Sequence, residues 1–345
     1  MSIAFVRTGL RSSPTWRQFE LACGCVVLLI LVGCAIYLIE TFLLRCERRF
    51  VENPIDVMTR AIGLAHFSIG WLFLFTSPNL RNRAAIGRLT FWTCFGIAFC
   101  VVFAWGGADR NPLLLMAFYS FFFIHEAHDE AHLFRHSGEL PADDRVAAER
   151  FQQALAWCVA FTFMMLLAGV QILRGHFLGR SAMLAELPTE WLMAGWLLVS
   201  ILACGSIFLT LHLARSTYGS VREAFALYQP LLAVYGALVA IMVLGSLLGS
   251  VGANLVILVH GMTWLVCTVK RLQERKAEVT GLWSWVRGSP AGFLTLHVVM
   301  IALALLLFGL RTHAWDRTGF VCNLVSKGWF PYWAIMHIAM AFWRK

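Results

Sequence analysis

Long apolar runs constrain this chain more than any other feature of it. "CVVLLILVGCAIYLIETFLL", "WLMAGWLLVSILACGSIFLTL" and "LLAVYGALVAIMVLGSLLGS" are each about 20 residues long, the length of helix that crosses roughly 30 Å of hydrocarbon. Inside hydrocarbon the backbone must satisfy its own polar groups, and a helix does so segment by segment. The composition agrees, with 59% of 345 residues hydrophobic and 14% charged, well to the apolar side of a soluble domain. The expectation is an all-α, polytopic integral membrane bundle with about ten transmembrane helices. They fall near 21–44, 57–77, 87–106, 112–135, 152–174, 188–213, 224–248, 250–271, 291–311 and 329–343.

The polar connections are short. The longest cover 136–151, 272–290 and 312–328, and none is large enough to fold alone. The chain therefore reads as one transmembrane domain over 1–345, with a short cytoplasmic N-terminal segment at about 1–20. That segment is basic, like the start of a signal peptide. The apolar run after it is long enough to span and lacks a small-residue cleavage site, which predicts an uncleaved first helix. The stretch "LGSLLGSVGANL" predicts a tight hairpin between the seventh and eighth spans.

Charge sets orientation. With the N-terminus in the cytoplasm, the inside segments hold eighteen of the twenty-eight Lys and Arg residues. This places both termini in the cytoplasm of an inner or plasma membrane. The net charge of +9 flanks apolar spans, so its partners are lipid headgroups and not nucleic acid. The ten cysteines lie mostly within apolar segments, where cysteine acts as a small apolar side chain.

The stretch "FFFIHEAHDEAHLFRHSG", Phe121 to Gly138, places metal-friendly side chains at the end of an apolar helix. At 100° per residue, His136, Asp129, His132 and His128 all fall within about 60° of His125. These five predict a metal-binding face. Glu126 and Glu130 flank it at about 100° and 140°, placed to orient imidazoles as carboxylate partners behind the ligands. Eight of the eleven histidines share one membrane depth: His125, His128, His132, His136, His212, His260, His297 and His337. His66 lies mid-span. Ionisable groups within a membrane are costly and mark functional sites. The expectation is that helices two, eight, nine and ten supply further imidazoles, with His297 a metal ligand.

The peptidase pattern HExxH is broken, because "HEAHD" puts Asp129 where the second histidine belongs. No phosphate-binding glycine loop or GxSxG is present. The disposition of imidazoles resembles that of membrane-bound non-haem iron enzymes acting on lipids, such as desaturases and hydroxylases. The paired HH motifs of desaturases are absent here. That resemblance implies a metal-dependent oxidoreductase, with iron as the transition metal, acting on a lipid-like substrate. Imidazole with carboxylate also suits zinc.

Two other readings stay open. Histidines on neighbouring helices ligate b-type haem in bundles, and His66, His260 and His337 sit in suitable apolar contexts. That would make the chain an electron-transfer subunit beside other membrane subunits. A transporter is the third reading, although no matched pair of broken helices marks a midplane site.

Overall fold

The computed structural model describes residues 13–77, 80, 82–106, 112–137, 145–177, 188–247, 251–274, 281, 283–313 and 321–342. Most of the N-terminal segment, the tip of the expected hairpin at 248–250, and parts of the three long connections lie outside the described residues. So do the side chains of His176 and His313.

Every regular element among the described residues is helical. Helix α1 is Pro14–Leu38 and continues through a π-helical turn, Ile39–Leu43. It is followed by α2 (Pro54–Phe75), α3 (Arg83–Trp105), α4 (Pro112–Arg135), α5 (Arg145–Phe177), α6 (Thr189–Tyr218) and α7 (Val221–Leu227). The rest are α8 (Gln229–Ser246), α9 (Val251–Glu274), α10 (Ser284–Arg287), α11 (Pro290–His313) and α12 (Phe330–Ala341). Local chemistry sets the starts. Asn53 accepts from the amides of Ile55 and Asp56 ahead of Pro54, and Asn82 and Ser220 cap α3 and α7 in the same way.

Eight of the described helices are long and apolar enough to cross a membrane. This is a multi-pass membrane protein. The other two expected spans are helical too, but they differ. Helix α12 has 12 residues, short of the roughly 20 that a perpendicular crossing needs. Helix α4 is not among the eight, because its second half carries the histidines and acids. The expected span at 224–248 is split in two. Tyr228 ends α7, and Pro230, which has no amide proton to donate, opens α8.

Packing divides the chain into two compact units. One comprises Met1–Ala22 and Phe123–Gly252. In it α5 packs on α6 and α8, and α6 on α7. Phe123 stacks on Phe163 at 5.1 Å. The close approach of the end of α8 to Gly252 depends on glycine, since a Cβ on Gly245 would lie 2.5 Å from Cα of Gly252. The outer face of α6 is apolar: Phe208 is 75% exposed and Ile201 60%. Hydrocarbon is the solvent that such a face requires.

The other unit comprises Cys23–Phe122 and Ala253–Lys345. Here α2 packs on α11 and α12, and α12 on α3. Apolar clusters fill the joints, one around Val57, Ala61, Ala304 and Phe308, another around Phe67, Phe103, Phe118 and Ile335. The turn after α1 is closed by buried Glu40, whose carboxylate accepts from the amides of Phe50 and Val51 at 2.9 and 3.0 Å. Arg60, also buried, pairs with Asp56 at 3.2 Å and lies over the Phe308 ring.

Candidate metal centre

Helix α4 has no glycine or proline between Leu113 and Arg135, so its register runs unbroken from the phenylalanines into the polar half. Helical spacing then builds two side-by-side pairs, each four residues apart. Nε2 of His125 lies 3.4 Å from a carboxylate oxygen of Asp129. A carboxylate oxygen of Glu126 lies within 4.8 Å of one of Glu130.

Burial makes these pairs informative. His125 is 1% exposed, Glu126 0% and Glu130 2%, whereas the Asp129 side chain is 23% exposed. Two ionised carboxylates so close in a low-dielectric surrounding repel each other and lose hydration. A cation held between them relieves both penalties. Each pair offers the two-atom grip with which a single helix holds an ion, and together they present one imidazole and three carboxylates.

The five-residue face expected on α4 is divided. His125 and Asp129 form one pair. The ring of His128 packs on Trp157 at 5.3 Å. His132 and His136 are exposed, with ring centroids 4.2 Å apart, and Nδ1 of His136 lies 2.8 Å from the carbonyl oxygen of His132. Beyond them Arg135 donates to Gln152 and Glu149 on α5. Glu126 and Glu130, expected behind the ligands, are more deeply buried than His132 and His136 and are themselves spaced as a ligand pair.

One further residue fixes this region. Tyr235 on α8 is 3% exposed and donates its hydroxyl to the carbonyl oxygen of Ala127. A lone tyrosine in the apolar run "LLAVYGALVAIMVL" was the one available signal for it. Near the foot of α8 the hydroxyls of Tyr218 and Tyr228 lie 2.9 Å apart. Burial, with that neighbour second, pushes the Tyr228 phenol above its ordinary range.

In the other unit, imidazoles from three helices meet. The ring of His66 on α2 lies 5.4 Å from His260 on α9 and 4.6 Å from His337 on α12, edge to face in both cases. All three are buried. Trp264 closes on His66 at 4.5 Å and Phe67 on His337 at 4.7 Å. Gly70 makes the room: a Cβ there would lie 3.2 Å from Cε1 of His337. His297 on α11 stands against Phe293 and Trp264.

Comparison with family models, curated proteins and solved structures finds no match.

Proposed function

We propose that this protein is a membrane-embedded metalloenzyme whose ligands lie on α4, an oxidoreductase of non-haem iron type acting on a lipid-like substrate. One observation carries the reading: His125, Glu126, Asp129 and Glu130 stand as two adjacent pairs on a membrane protein's helix, three of the four almost fully buried. Such groups are too costly in that setting for a merely structural role. The donor set is imidazole and carboxylate, without thiolate, which suits iron or zinc. Zinc has no redox chemistry, so a reaction on an unactivated hydrocarbon chain favours iron. The surrounding apolar helices favour a substrate that arrives through the bilayer. The Lys and Arg distribution supports a cytoplasmic membrane with both termini inside.

The imidazoles of His66, His260 and His337 support a haem reading less well. Two axial ligands stand on opposite faces of a macrocycle, whereas rings in edge contact at 4.6 Å are spaced for a small ion or a proton.

The test is metal analysis and an absorption spectrum of the purified full chain. Iron without a Soret band, present in the wild type and lost in His125→Ala, is the expected result. A Soret band, or a wild type that retains no metal, would overturn the proposal.

A further inference from the structure

Away from α4, the described residues include a buried imidazole nitrogen with no evident use. His297 is 3% exposed, and its Nδ1 lies 3.0 Å from the carbonyl oxygen of Phe293, one turn earlier on α11. A carbonyl only accepts, so Nδ1 carries the proton and Nε2 keeps a lone pair. Nε2 is buried and has no hydrogen-bond partner among the described residues. An acceptor in this position costs folding free energy until a donor reaches it.

The surroundings narrow the choice of donor. The ring neighbours of His297 are Phe293 at 4.3 Å and Trp264 at 5.9 Å, with Phe73 tilted against both. A buried water is typically held by about three polar partners, and beside Nε2 these walls offer at most the indole N–H of Trp264. A metal ion needs further ligands beside it, which these neighbours do not provide either. A molecule that brings one donor on an apolar body meets both conditions. Val298 and Val299, next along the same spanning helix, are 65% and 53% exposed, so the hydrocarbon of the bilayer begins one residue from the ring.

We propose that Nε2 of His297 is the acceptor that recognises the hydroxyl group of an apolar ligand drawn from the bilayer. This rests on the lipid-like substrate of the proposed function and adds the polar group that such a molecule must carry. It does not depend on the metal.

The experiment is thermal unfolding of the detergent-purified full chain, with lauryl alcohol or lauryl methyl ether added to the micelles. The ether has the same chain without the donor. The alcohol should raise the wild-type Tm by about 2–4 °C and the ether should not. His297→Leu, which removes the orphaned acceptor, should be at least as stable as the wild type without ligand and should not respond to the alcohol. His297→Gln, which keeps an acceptor, should retain part of the shift. Equal shifts with alcohol and ether, or an undiminished alcohol shift in His297→Leu, would overturn the proposal. So would a stabilisation by cobalt(II) that disappears in His297→Leu, since it would make His297 a metal ligand. Where the leucine variant does not fold, the alcohol and ether comparison in wild type and His297→Gln still decides. Metal content measured on the same samples separates failure here from failure of the α4 centre.

Discussion

Tyr235 donates its hydroxyl to the carbonyl oxygen of Ala127 across 2.5 Å, and so ties α8 to the turn of α4 that carries Glu126 and Asp129. Tyr235→Phe keeps the packing and removes the donor. A lost hydrogen bond of this kind is worth about 0.5–1.5 kcal/mol. We expect a Tm lower by a few degrees with metal still bound. A Tm equal to the wild type would show that the bond contributes nothing to holding α4.

His125 and His132 should behave differently, although the helical wheel puts them on one face. His125 is 1% exposed and paired with Asp129, whereas His132 is exposed. His125→Ala should lose bound metal and His132→Ala should keep most of it. Glu126→Gln and Glu130→Gln should each weaken binding, by more than the roughly 10–100-fold of a residue that only orients a ligand. Metal titration of the four variants checks this. Equal loss in both histidine variants would move the centre toward the exposed end of α4.

Gly245 faces the backbone of Gly252, and backbone cannot move aside as a side chain can. Gly245→Ala should cost about 1–3 kcal/mol by overpacking, in spite of the better helix propensity of alanine. Urea unfolding in detergent, or the yield of folded protein, measures the effect. Unchanged stability would mean that Gly245 and Gly252 can move apart without penalty.

Reporter fusions after Lys345 and within the 272–290 connection should both read cytoplasmic, following the positive charge. An outside signal at either place would reverse the orientation.

The class of the fold was legible because apolar runs of span length leave a chain few alternatives. The cut between α7 and α8 was harder to see. "AFALYQPLLAV" reads as one apolar stretch, and only the Gln229–Pro230 step signals that the helix restarts. On α4 the sequence gives angles between side chains but not which angle faces neighbouring helices. It therefore ranked His132 with His125 and put Glu126 and Glu130 behind them, whereas burial ranks the glutamates first. Tyr235 lies 108 residues from its partner, and no local pattern links the two. The meeting of His66 with His337 likewise depends on Gly70, whose missing side chain is visible in the sequence only as an ordinary helical glycine.

The acids of α4 also bear on how the protein is made. During synthesis each span partitions into the bilayer on its own hydrophobicity, and an aspartate or lysine mid-helix opposes that by about 2.5–3.5 kcal/mol. Eight of the described helices are long and apolar enough to cross a membrane; α4, with Glu126, Asp129 and Glu130, is not among them. The bond from Tyr235 of α8 can fasten it only after about 100 further residues have been synthesised. The helix with the buried acids is thus secured late, and a chain that stalls before α8 leaves those acids without that fastening.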